Sequence, residues 1–69
     1  MWLYKIMSDI SQMYARTFSS PSGRAVLNHL RKITIERVLG PDASESQLRS
    51  LESQRALVHQ IENLINKEK

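Results

Sequence analysis

The chain has 69 residues, with ten basic and seven acidic side chains for a net charge of +3, and no cysteine. That length limits it to one small domain, 1–69, and the missing cysteines exclude a disulfide framework and any thiolate metal site. A domain of this size without such staples depends on regular helix packing or on a partner.

No apolar run reaches the roughly 20 residues that span a bilayer. The apolar start, Met1 to Met7, is too short for a signal-peptide core and no small-residue cleavage site follows it. No membrane partner is expected, and the bacterial cytoplasm, or a particle assembled there, is the expected setting. Charge is unevenly spread. Residues 1–40 carry six basic side chains against two acidic ones, and residues 41–69 carry four against five. A basic first half suits an acidic partner or a solvated face.

Ile10, Met13, Tyr14, Thr17 and Phe18 recur at helical spacing and mark a first helix. Two starts fit. Asp9 with Gln12 forms a capping-box pattern that begins the helix at Ile10, giving 10–18. The stripe also continues backwards through Ile6 and Leu3, giving about 2–18, and this longer helix is the preferred reading. Residues 1–7 are then an extension of the helix.

Ser19-Ser20-Pro21 breaks the pattern. Ser20 suits an N-cap and Pro21 the first helical position, where a missing N–H costs nothing. Phe18 precedes the cap and suits a hydrophobic staple. Gly23 is a poor helix former, at about 1 kcal/mol against Ala, so it marks either a close backbone approach or a frayed first turn. A second helix follows over 21–39, with Val26, Leu27, Leu30, Ile33 and Thr34 on one side. Gly40-Pro41 ends it, Gly40 taking the left-handed position after the last turn. The β-branched run Ile33-Thr34-Ile35 is the place where this helix would loosen. If it stays regular, Ile35 points away from the core.

Ser44 and Gln47 form a capping box, and Glu45 suits the positive end of a helix. Leu48, Leu51, Leu57, Val58, Ile61, Leu64 and Ile65 then line a third helix over 45–66. The expectation is an all-α fold, a small three-helix bundle or a set of orthogonal helices. Its core is expected to hold Ile10, Tyr14, Phe18, Val26, Leu27, Leu30, Leu51, Val58, Ile61 and Ile65.

Chemistry is sparse. Catalysis needs a converging nucleophile, base and charge stabiliser, or a metal. The serines sit at helix starts, His29 and His59 sit mid-helix, the carboxylates are scattered, and two glycines make no phosphate loop. No enzyme activity and no cofactor or metal are expected. Nucleic-acid binding is the competing class: Arg16, Arg24, Arg31 and Lys32 suit phosphates, and Asn28 with Arg31 could meet base edges. The turn at Ser19-Ser20-Pro21 is unlike the tight glycine-centred turn of a helix-turn-helix. Arg55 and Glu62 lie at the edge of the third helix's apolar face, with Glu52 one turn before Arg55. Arg55 therefore suits either a bridge to a carboxylate or helix-end carbonyls, or a snorkelling stem over the core edge.

Phe18-x-x-Pro21-x-Gly23-Arg24-x-Val26-Leu27-x-x-Leu30, then Leu39-Gly-Pro-Asp-Ala43, then Glu52-Ser-Gln-Arg-Ala-Leu-Val58 and Ile61, resembles a family of short tailed-bacteriophage and prophage proteins encoded among head, portal and tail genes. The resemblance covers about residues 12–66. It departs at Ser53, where the family often carries Gly. It implies a virion- or assembly-associated protein whose partners are phage structural proteins, including copies of itself, and it implies no activity. Phe18, Gly23, Leu27, Leu30 and Arg55 carry over as structural positions. Trp2, Leu3, Ile35 and Leu64, surplus to the core, are the candidate interface residues.

Overall fold

The computed structural model describes the backbone of residues 2–67 and side chains from Asp9 to Lys67. Three helices follow one another: α1 (Trp2–Thr17), α2 (Pro21–Ile33) and α3 (Glu45–Asn66). The fold is all-α, as the periodicity predicts, and the longer first helix is the one formed. α3 is the spine: α1 packs along it most extensively and α2 more lightly.

Local chemistry sets both internal helix starts. The Ser20 hydroxyl accepts a hydrogen bond from Gly23 N–H at 3.0 Å, with Pro21 directly after the cap. At α3 the Ser44 hydroxyl accepts from Gln47 N–H at 3.1 Å, and the Gln47 side chain accepts from Ser44 N–H at 2.9 Å. That reciprocal pair is a complete capping box.

The turn between α1 and α2 is tight because residue 23 is glycine. A Cβ built there would sit 2.1 Å from the Thr17 carbonyl oxygen and 2.8 Å from Phe18 Cα. The close approach expected at Gly23 is thus real, and the backbone that approaches is the end of α1. Tyr14 and Phe18 stack beside it, ring centroids 6.3 Å apart.

α2 ends at Ile33, six residues short of the expected Leu39. The β-branched run is where it stops. The Thr34 hydroxyl donates to Leu30 O at 2.6 Å, and Glu36 N–H reaches back to Arg31 O at 2.9 Å. The Thr34 carbonyl, which a continuing helix would offer to Val38 N–H, instead accepts from Arg55 Nε at 2.9 Å. Gly40 takes no positive φ. It opens a turn closed by Ala43 N–H to Gly40 O at 3.1 Å, with Pro41 at the second position.

The core is thin. Among the described residues the buried hydrophobic side chains are Leu51 and Val58, at 5% and 4% exposure, joined by Ser11 and Thr34. Tyr14, Phe18, Leu27, Leu30, Ile61 and Ile65 are half-buried. Ile10 and Val26, expected inside, are 41% and 54% exposed. Ile10 lies about 100° around α1 from Ser11, which takes the inward position. Val26 is on α2, which packs only lightly on α3. The shape explains the shortfall. The radius of gyration is 14.7 Å, against roughly 11 Å for a compact chain of this length. The shortest extent, 14 Å, leaves room for two packed helices at most, so each helix keeps an uncovered face.

Candidate interaction surfaces

Two polar clusters tie the elements together. In the first, Arg55 forks across three acceptors: Nε to Thr34 O, a guanidinium N–H to Arg37 O, and Nη1 to Glu52 Oε1 at 2.6 Å. Arg55 thereby fastens the segment after α2 onto α3. A guanidinium suits this because its donors point in several fixed directions at once. In the second, Arg31 of α2 pairs with Glu62 of α3. His59 Nδ1 lies 3.6 Å from the other Glu62 oxygen, and Glu36 lies 4.0 Å from Arg31 Nε. Glu62 is half-buried, so this pair docks α2 against the C-terminal half of α3.

These contacts divide the basic residues. Arg31 is occupied by Glu62. Arg16, Arg24, Asn28 and Lys32 are exposed, and among the described residues no carboxylate pairs with Arg16, Arg24 or Lys32. α2 contains no acidic residue, and Arg24, Asn28 and Lys32 follow each other at four-residue steps along one side of it. Of the residues considered for nucleic acid, Arg24, Asn28 and Lys32 therefore share a face of α2, Arg16 lies on α1, and Arg31 at the edge of the α2 face is turned to an internal carboxylate.

The apolar candidates separate differently. Trp2 and Leu3 lie outside the residues whose side chains are described. Ile35 is half-buried in the turn after α2, because the helix that would have pointed it outward has already ended. Leu64 is half-buried on α3. The exposed apolar surface lies elsewhere: Val38 at 88%, Leu57 at 58%, Met13 at 56% and Val26 at 54%. Sequence reasoning placed Val26 in the core and did not single out Val38, since both depend on where α2 stops. The surface hollows, such as the one lined by Met13, Tyr14, Thr17 and Phe18, are shallow and open. Among the described residues no three His, Cys, Asp or Glu side chains gather as a metal site, and no helix is long and apolar enough to cross a membrane.

Of the structural positions, Gly23 and Arg55 have the contacts described above, and Phe18, Leu27 and Leu30 are half-buried between elements. Ser53, the departure from the family pattern, is exposed and bonds its own helix, Oγ to Arg49 O at 3.1 Å. Neither the curated proteins nor the solved structures include a match to this chain. A family model, described as Bbp19-like phage protein, matches residues 14–68. That match contains α2, the Arg55 clamp, all of α3 and the end of α1, and the chain belongs to the Bbp19-like phage protein family.

Proposed function

We propose that this protein is a non-enzymatic structural or assembly module of a tailed-phage or prophage-derived particle, acting by binding other particle subunits, copies of itself included. The observation that carries this reading is the imbalance of its apolar surface. Among the described residues two hydrophobic side chains are buried, while Val38, Leu57, Met13 and Val26 are each more than half exposed. Fully burying an exposed side chain of this kind is worth about 1.5–3 kcal/mol, so covering several half-exposed ones together supplies a large fraction of what a small domain has in reserve. A partner that covers several of them supplies the stabilisation that the chain's own core lacks. The test is photo-crosslinking in phage-producing cells, with the reactive group at Val38 or Val26 and a control at Arg49. Adducts to head, portal or tail subunits from positions 38 and 26, absent from 49, are the expected result. Adducts to no particle subunit would refute the reading.

A second reading, a small DNA-binding protein of packaging or regulation, is favoured by one observation: the acid-free α2 with Arg24 and Lys32 unpaired among the described residues. Its contacts would be to phosphates, and binding to duplex DNA would fall steeply with salt. Absence of binding at low salt would remove it.

A further inference from the structure

The end of α2 is fixed from outside the helix. A helix that stops by its own sequence commonly does so on a glycine or asparagine in the left-handed conformation. None of residues 34–39 is either, and none takes a positive φ. The stop signal that the sequence does carry, Gly40-Pro41, comes only after Leu39. What holds residues 34–39 off the helix axis is Arg55 of α3. Its Nε donates to the Thr34 carbonyl at 2.9 Å, and its guanidinium donates also to the Arg37 carbonyl. The Thr34 carbonyl is the acceptor that Val38 N–H needs in order to add a turn to α2. Local preference and long-range contact thus disagree over these residues, which is the condition for two competing arrangements of one segment.

The two arrangements sort the same side chains differently. In the structure Ile35 and Leu39 are half-buried and Val38 is exposed. On a helix continued to Leu39, Val38 follows Leu30 and Thr34 at four-residue steps, on the inward side that those two already occupy. Ile35 falls seven residues after Asn28 and Leu39 seven after Lys32, on the outward side. Three apolar side chains therefore trade places. The chain has room for the longer helix. Arg31 pairs with Glu62 and Thr34 with Arg55, so α2 runs back along α3 toward its start. Six more helical residues add about 9 Å in that direction. Gly40 to Ser44 remain to join the helices, within the roughly two to eight residues of ordinary helix–helix connections. Val38 N–H then replaces Arg55 at the Thr34 carbonyl, so that buried acceptor has a donor in either form.

We propose that residues 34–39 are a conformational switch. They form an irregular strap while Arg55 holds the Thr34 and Arg37 carbonyls, and they continue α2 to Leu39 when that guanidinium lets go. The strap presents Val38 to the surroundings, and the long helix presents Ile35 and Leu39 beside Asn28 and Lys32. The free chain adopts the strap. Whatever binds the long form better draws the segment into helix by that preference. The switch belongs to the chain alone and needs no partner to be observed.

The test is nuclear magnetic resonance on the intact chain, reading the carbon chemical shifts of residues 34–39 and the hydrogen exchange of the Val38 amide. In the parent, helical shifts should end at Ile33. The Val38 amide, which has no backbone acceptor among the described residues, should exchange at close to the open-chain rate. Arg55→Met removes the donors and keeps an apolar stem. It should carry helical shifts on to Leu39 and slow Val38 exchange by about tenfold or more. Ile35→Ala keeps Arg55, but it weakens the packing of the strap and removes a β-branched residue from the long helix, so it should move the same signals the same way. Val38→Pro, added to Arg55→Met, removes the required N–H and should abolish the helical shifts of residues 37–39. Helical shifts that still end at Ile33 in a folded Arg55→Met chain would overturn the proposal. If that chain loses its helices, the same result in Ile35→Ala overturns it. Helical shifts at residues 37–39 that survive Val38→Pro would overturn it as well.

Discussion

Arg55 Nε donates a hydrogen bond to the Thr34 carbonyl at 2.9 Å, across 21 positions of sequence, and that one contact couples the end of α2 to the middle of α3. Thr34 itself is 5% exposed, so its carbonyl has little access to water. Arg55→Ala leaves the Thr34 carbonyl without its partner, at about 1–3 kcal/mol for a buried unsatisfied group, while the exposed Arg37 carbonyl turns to water. Arg55→Lys should recover little of that loss, because one ammonium cannot fork between the two carbonyls and Glu52. Urea unfolding followed by circular dichroism measures both variants. Full recovery in Arg55→Lys would mean that charge alone matters at this site.

Gly23 reverses the usual rule for glycine in a helix. Gly→Ala within a helix ordinarily stabilises by about 1 kcal/mol. Here the new Cβ would meet Thr17 O at 2.1 Å, and backbone must move to admit it. Gly23→Ala should therefore destabilise, by about 1–3 kcal/mol on the scale of overpacked sites. Gly40→Ala meets nothing within 4 Å and needs no positive φ, so it should stabilise by about 0.4–1 kcal/mol through the unfolded chain. Thermal melts of the two variants should move in opposite directions.

The two helix caps should each be worth about 1 kcal/mol. Ser44→Ala removes the acceptor for Gln47 N–H, and Ser20→Ala removes the acceptor for Gly23 N–H. Ser44→Asp should retain the stability of the parent, since a carboxylate caps as well and suits the positive helix end. Equal losses for Ala and Asp at position 44 would contradict the capping account.

The DNA-binding reading has its own quantitative signature. Each phosphate contact contributes about −0.9 to the slope of log affinity against log salt. Neutralising Arg24 and Lys32 together should flatten that slope by about 2 if both touch phosphate. Arg31→Gln should change the slope much less than either, because Glu62 already holds this guanidinium, and should instead lower folding stability. A large slope change from Arg31 alone would show that its pairing opens on binding.

Much of the fold was legible because its signals are local. Ser20-Pro21 and the Ser44–Gln47 pair announce helix starts within four residues, and both form the hydrogen bonds those residues imply. The bridge from Arg55 could be read from Glu52 one turn before it and from its place at the edge of the apolar stripe. The end of α2 was legible only as a weak point: the β-branched run at Ile33-Thr34-Ile35 marks where the helix loosens, but not that it stops there instead of reaching Leu39. It depends on Arg55 capturing Thr34 O, a contact made only once α3 is in place. With that end misplaced, Ile35, expected outside, is half-buried, and Val26, expected inside, is 54% exposed. The Arg31–Glu62 pair is separated by 31 positions and left no sequence signal beyond the two charges themselves. The interface candidates suffered most, since which apolar residues remain outside depends on the whole arrangement of the helices.

The central claim is that this chain is completed by binding within a phage-type particle. The most direct test is gradient purification of particles from cells producing the phage, followed by mass spectrometry of the banded material before and after nuclease treatment. The account predicts this protein in the particle band in a fixed ratio to a head, portal or tail subunit, unchanged by nuclease. Its recovery solely in the soluble fraction, or its release from the band by nuclease, would contradict the account.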